Sequence, residues 1–299
     1  GETACTGSEP QPTVGSGGGV VIGGCINCPE ISKVASADNY EEGSYYADVL
    51  AAEPANLAAA INASISAKHV PLTYSQVWSV LTFSDEDPDN SANVLELYTG
   101  NSIAKDMNGS GPNANNPDSW NREHVWSKSH GFDDEFRWAY TDAHHLRPAD
   151  WSMNSTRSNL DFDNGGDPIP ESPENFKDGD SFEPRSAVKG DVARMMFYMA
   201  ARYNGAAQDS TPDLVLVDET GTASGSPTFG KLCSLWQWHH DDPVDEREMA
   251  RNNVVFEYQG NRNPFIDRPD WVDDIWADDC RPSTVPVIKI NGPFTVSEG

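Results

Sequence analysis

Basic residues are scarce in this 299-residue chain: 20 Lys and Arg stand against 47 Asp and Glu, a formal net charge of −27. Proteins that bind polyanions normally meet the phosphates with an excess of Lys and Arg, so the balance argues against a nucleic-acid ligand. The scarcity is uneven. Residues 1–121 hold no Arg, three Lys (Lys33, Lys68 and Lys105) and fifteen acids, and all twelve Arg lie between Arg122 and Arg281. Any anion-binding surface must therefore be built from that stretch. Long apolar runs are missing as well; none approaches the roughly 20 residues that cross a bilayer as a helix. There is no internal repeat, which excludes a solenoid.

Cysteines are few and odd in number: Cys5, Cys25, Cys28, Cys233 and Cys280. At least one is free or pairs outside the chain. Cys25-Ile-Asn-Cys28 has neither the second half of a zinc site nor the following helix of a thioredoxin motif, and closing a small loop suits it better. Cys233 and Cys280 lie in segments that read as folded, where a bridge is plausible. Disulfides, low Lys and high Asp together point to a secreted or periplasmic protein. The start at Gly-Glu-Thr is consistent with a signal peptide already removed.

What is present is enough for a core: 37% of residues are hydrophobic and 10% aromatic, with nine Trp. Wholesale disorder is excluded, and the length suits one large domain or two small ones. Residues 1–37, rich in Gly, Ser, Thr and Pro, read as a flexible arm. Residues 38–281 read as one domain, and 282–299 as a tail or the start of a further module. Apolar spacing predicts helices within Tyr45 to Ala67, at Tyr74 to Leu81, Ala187 to Tyr203, Thr228 to Trp238 and Val244 to Tyr258, the last closed by Gly260. Val94 to Tyr98 reads as a strand, and Ser102 to Asp118 as loop. The expected fold class is α+β, a mostly helical single domain.

The chemistry-bearing stretch runs from Trp120 to Asn159. Trp120-Asn-Arg-Glu-His-Val-Trp126 and His144 to Arg147 read as strands, and Asp150 as the N-cap of a helix over Trp151 to Leu160. Strand, loop, strand and helix carrying a His, an acid and an amide form a compact way to present a metal to a phosphate. Cutting a phosphodiester needs an activated water, a Lewis acid and cationic donors. His124 can take a proton near neutral pH. Mg²⁺ keeps much of its water shell, so one carboxylate and one amide oxygen, Glu123 and Asn154, suffice as protein ligands. Asn154 and Arg157 share a helix face, which would set a guanidinium beside the phosphate. Neighbouring strand residues point to opposite faces, so Glu123 and His124 can serve one centre only if the strand ends or bulges there.

These residues resemble the secreted endonuclease I family of sugar-nonspecific nucleases, whose site is a ββα-metal (His-Me finger) motif. The resemblance rests on Asn121-Arg-Glu-His-Val-Trp126, Thr141-Asp-Ala-His-His-Leu-Arg-Pro-Ala-Asp150 and Asn154-Ser-Thr-Arg-Ser-Asn159. Phe182-Glu-Pro-Arg185 with Val188 to Arg194, and Gln259 to Asp267, agree with it. It covers roughly residues 40–280 and implies His124 as general base, and Glu123 and Asn154 as ligands of a single Mg²⁺ whose place Mn²⁺ or Ca²⁺ can take. A nearby Arg would contact the phosphate; Arg147 and Arg157 are the first candidates, with Arg122 behind them. The implied substrates are DNA and RNA, cut without sequence preference to oligonucleotides with 5′-phosphates by a monomer that needs no membrane.

Competing readings exist for several residues. Arg147 and Arg157 would serve equally in ion pairs with Asp142 or Asp150. Asp85 to Glu96 has part of the ligand spacing of an EF-hand loop and so is a candidate structural Ca²⁺ site, despite Pro88 and Asn90 at unfavourable positions. The whole chain could be a non-catalytic, acidic, Ca²⁺-binding extracellular module with a decayed nuclease site, but such a site would have lost Glu123, His124 or Asn154, and all three are present. A zinc phosphoesterase using His144 and His145 is a third reading. The charge itself suggests an enzyme helped by salt, which would screen its repulsion from nucleic acid.

Overall fold

Lys189–Arg202 is buried on almost every side, from Val192 through Arg202 without a break, so the other helices gather around it. The computed structural model describes residues 24–205 and 210–281. Cys5 and the expected C-terminal tail lie outside them. Seven helices of seven residues or more occur among the described residues: α1 (Leu57–Ala67), α2 (Tyr74–Ser84), α3 (Trp151–Arg157), α4 (Lys189–Arg202), α5 (Leu232–Asp241), α6 (Glu246–Gln259) and α7 (Asp270–Cys280). The α+β, mostly helical expectation holds, and no described helix is long and apolar enough to cross a membrane. Local chemistry starts and stops the helices. At the head of α2, Thr73 accepts from the backbone N–H of Gln76 while the Gln76 side chain accepts from the N–H of Thr73, a reciprocal capping box. Helix α6 is capped by Asp245 and stops at Gly260, whose φ of 82° and close approach to the Lys68 carbonyl exclude a side chain.

The strands are short. β1 (Glu86–Asp87), β2 (Asn90–Leu95) and β3 (Ser102–Ala104) form one sheet; β4 (Trp120–His124) and β5 (Leu146–Asp150) form an antiparallel pair. β6 (Asp161–Phe162), β7 (Asp167–Ile169), β8 (Ser172–Lys177) and β9 (Ser181–Glu183) make a four-stranded sheet ordered β6-β9-β8-β7, and β10 (Val215–Leu216) pairs with β11 (Thr228–Phe229). The helix expected from Thr228 therefore begins only at Leu232, because Thr228 and Phe229 are drawn into a ladder with a distant segment. The expected strand at Val94 to Tyr98 starts earlier and ends at Leu95, and the expected loop after Ser102 contains β3.

Residues 24–37, read from the sequence as part of the arm, lie against the domain. Cys25 and Cys28 are bridged and buried in a cluster with Val77, Trp78 and Trp120, and the Ile26 N–H donates to Asn108 at 2.9 Å. The second bridge joins Cys233 on α5 to Cys280 at the end of α7, as the sequence suggested.

The structural Ca²⁺ expectation for Asp85 to Glu96 is corrected. Asp85, the first ligand position, is fully buried between Arg147 at 2.6 Å and Arg251 at 3.2 Å. A strand, not a helix, leads out of the turn. Two guanidinium groups already neutralise the carboxylate that a Ca²⁺ would need.

Buried histidines set the acid response. Burial holds His144, His145 and His239 down to about 4 and His124 well below its ordinary value. Each binds fewer protons folded than unfolded between about pH 6.5 and 4, so stability falls as pH is lowered through that window. Glu96 and Glu248, pushed up to about 7 by burial, and Glu123 and Asp242, also raised by it, oppose the trend, while Asp85 and Asp142, held down by neighbouring Arg and His charge, reinforce it towards pH 4. Thermal midpoints measured from pH 7 to 4 should fall steadily; a flat profile would contradict the buried, neutral histidines.

Candidate active site

β4 and β5 pair with Glu123 opposite Arg147 and His124 opposite Leu146, and α3 starts directly after β5. Asp150 caps that helix as expected, its carboxylate accepting from the Met153 N–H at 2.9 Å. Strand, strand and helix thus enclose one cavity of about 380 Å³, lined by Asn121, Arg122, Glu123, His124, Asn154 and Arg157, with Tyr74, Trp78, Lys128 and Trp151 on its walls. The parity problem for Glu123 and His124 is resolved because β4 stops at His124. Both residues reach the same cavity.

Each residue of the trio has a defined partner. The His124 Nε2 lies 2.9 Å from the Tyr140 carbonyl, which can only accept, so Nε2 carries the proton and Nδ1 keeps its lone pair. Burial, reinforced by His145, holds the ring neutral through the physiological range. Glu123 is 2% exposed; its Oε1 accepts from the Tyr98 hydroxyl at 2.7 Å and faces Arg157 Nη1 at 3.5 Å. Burial pushes its carboxyl up, against the pull of Arg157 and Tyr98. Its Oε2 takes neither of these contacts, and the nearby His124 backbone N–H helps to hold the carboxyl down. The Asn154 amide nitrogen donates to Asn121 Oδ1 at 2.6 Å, which turns its own Oδ1 away as a free acceptor. One carboxylate oxygen and one amide oxygen are thus left for a hard cation, a donor set that fits a divalent ion retaining several waters.

The arginines are sorted differently from expectation. Arg147 does not line the cavity: its guanidinium runs to Asp85 at 2.6 Å and Asp191 at 3.1 Å, a structural role with partners other than those the sequence suggested. Arg157 does line it but is 1% exposed and donates to the carbonyls of Val125 at 2.6 Å and of His124 and Ser158 at 3.3 Å. Arg122 stacks on Tyr74 and Trp78, 3.4 and 4.0 Å from their ring centres, and burial lowers it to about 10. Lys128, which sequence reasoning passed over, also faces the cavity and donates to the Tyr140 hydroxyl at 2.9 Å. Its closeness to His124 in the sequence was the available signal. His144 and His145 give no zinc pair: they bond the carbonyls of Asn261 and Ala139, and no group of three or more potential ligands occurs among the described residues.

Residues 55–270 match the family described as endonuclease I. The chain is 49% identical over 255 residues to an extracellular ribonuclease of Bacillus amyloliquefaciens, covering 85% of each. It is 54% identical over 209 residues, 70% of each, to an extracellular ribonuclease of Bacillus subtilis (strain 168). An extracellular deoxyribonuclease of Aeromonas hydrophila is 30% identical over 147 residues, 47% of this chain and 55% of that one.

Because Arg157 neutralises Glu123 and holds three carbonyls, Arg157→Met should lower the unfolding free energy by about 3–5 kcal/mol, the cost of stranding a buried charge. Urea unfolding checks this; an unchanged midpoint would show that the contacts are dispensable.

Proposed function

The chain belongs to the endonuclease I family and is a nuclease; from that premise we propose that it is a secreted enzyme hydrolysing phosphodiester bonds of both DNA and RNA at the β4–β5–α3 cavity. The observation that carries the reading is the convergence there of a histidine with a free Nδ1 lone pair, a carboxylate and an amide oxygen with no other work. The relatives named ribonuclease and deoxyribonuclease support a substrate range spanning both nucleic acids, and their extracellular names, with two disulfides, support secretion.

His124 acts as the general base. As a water oxygen bonds to phosphorus, its proton passes to Nδ1, while the Nε2 bond to the Tyr140 carbonyl orients the ring and favours the imidazolium that forms. The P–O3′ bond breaks, leaving a 5′-phosphate on one product and a 3′-hydroxyl, protonated from solvent, on the other. Glu123 Oε2 and Asn154 Oδ1 would hold one Mg²⁺, which when bound stabilises charge developing on the phosphate. Arg122 and Lys128 are the cations offered to the non-bridging oxygens; Arg157 acts from behind, keeping Glu123 and the His124 backbone in place. Contacts of this kind read phosphate and not bases, which accounts for action without sequence preference.

Incubation of plasmid DNA and of RNA with the protein tests the reading. Cleavage should require Mg²⁺, stop with EDTA, and fall at least about 100-fold in His124→Ala. Intact substrate with Mg²⁺, or a His124→Ala protein as fast as wild type, would refute it. The charge of −27 adds a second expectation: activity should climb with NaCl to a maximum before counterion competition lowers it. A rate that declines from the lowest salt upward would contradict a repulsion-limited encounter.

A further inference from the structure

Eight of the nine tryptophans pack against another aromatic ring: Trp78 with Trp120, Trp126 with Phe229, Trp138 with His69, Trp236 with His240, Trp238 with Phe162, Trp271 with Tyr46 and Trp276 with Phe197. Trp151 does not. Among the described residues it has no ring partner, no cation over its face and no acceptor for its indole N–H, and it forms part of the cavity wall. It is the first residue of α3, and Asn154 follows three positions later, about one turn on and on the same side of the helix. One edge of the ring lies against Gly109, where an added Cβ would come within 3.2 Å of Cζ3 and 3.3 Å of Cε3. A side chain at 109 would displace the ring.

We propose that Trp151 is a substrate-binding residue whose free face stacks on an unpaired nucleobase next to the scissile phosphate, making single-stranded RNA and DNA the preferred substrates. This rests on the nuclease reading and deepens it. The chemistry favours a base over other occupants. The cavity, at about 380 Å³, falls in the range that accommodates one nucleotide-sized ligand. Its other walls supply phosphate contacts, so a nucleotide entering it brings its base beside a bare aromatic face. Stacking on an aromatic side chain needs no positive charge and tolerates any base, because every base has a π-face. In a protein carrying −27 with only Arg122, Lys128 and the sequestered Arg157 at the cavity, a charge-independent term is the one that can supply affinity. In an intact duplex both faces of each base are covered by its neighbours. Trp151 therefore discriminates by strand form and not by sequence.

The test compares an oligothymidylate with an abasic phosphodiester strand of the same length, bound in EDTA so that nothing is cut and followed by anisotropy of an end label. Wild type should bind the base-bearing strand about tenfold tighter, a typical return for one stacked base. Trp151→Ala should erase most of that gap while leaving abasic binding unchanged, and Trp151→Phe should keep much of it. With Mg²⁺, Trp151→Ala should raise KM on single strands about tenfold and affect duplex far less. Equal weakening on both strands, or no change on either, overturns the stacking role, and wild type binding both strands alike overturns it without any variant. Should wild type leave every nucleic acid uncut with Mg²⁺, it is the nuclease reading that fails, while the binding comparison still decides the stacking.

Discussion

The candidate site depends on one buried guanidinium. Arg157 stands at the end of α3 and reaches across to the end of β4, where it donates to the carbonyls of His124 and Val125 and faces Glu123. Its plane lies over Phe162 and Phe229, 4.7 and 5.5 Å from their ring centres. Taking a charge this far from water costs several kcal/mol, and it is tolerable only because carbonyls, a carboxylate and two ring faces surround it. Beyond His124 the Val125 N–H still reaches the His145 carbonyl, but the Val125 carbonyl is taken by Arg157 and the His145 N–H by the Asp142 carbonyl, and the strand ends at His124. That stop allows two neighbouring side chains to reach one cavity.

A buried carboxylate plays the matching part on the helical side. Asp142 accepts from the hydroxyls of Tyr198 on α4 and of Tyr203 just after it, from Gln259 on α6 and from the His144 N–H, at 2.8 to 3.0 Å. His69 lies 3.8 Å away. Neighbouring histidines and these donors keep it ionised despite full burial. Gln259 returns through its Oε1 to the Ala143 N–H, and Arg251 holds the carbonyls of Ala143 and Leu146. The turn carrying His144 and His145 is thus tied to two helices by polar bonds, and β5 inherits a fixed position. The Gln259 to Asp267 motif is explained by this: Gln259 and Asn261 brace the turn, and Arg262 is occupied by Asp267 at 2.7 Å.

The acidity of the chain also takes on a structural meaning. Four of the twelve arginines are spent on buried ion pairs: Arg147 and Arg251 serve Asp85, Arg194 serves Glu248, and Arg262 serves Asp267. Concentration of Arg after residue 121 therefore marks in part where the buried ion pairs of the domain are. On the proposed reading, recognition at the cavity would lean on groups whose attraction survives a repulsive field, namely oxygen ligands for a cation and an aromatic face.

Much of the site was legible in order along the chain, because capping, helical periodicity and the i, i+3 relation are short-range. Asp150 as N-cap, the buried α4 stripe and Gly260 as the stop of α6 all follow from residues a few positions apart, whereas Glu123, His124 and Asn154 were singled out by family resemblance and meet in one cavity only through the fold. The β6–β9 sheet was not legible, since its strands of two to six residues are polar and broken by Gly and Pro, leaving no alternation to detect. Nor could the roles of the arginines be read, because their partners come from far away: Arg147 meets Asp85, 62 positions back, and Asp191, 44 ahead. Sequence sets which groups are available and how each helix begins and ends. Which charges cancel, where β4 stops and which tryptophan keeps a bare face are settled by packing between segments distant in the chain, since desolvation and neighbouring charge are properties of the folded surroundings.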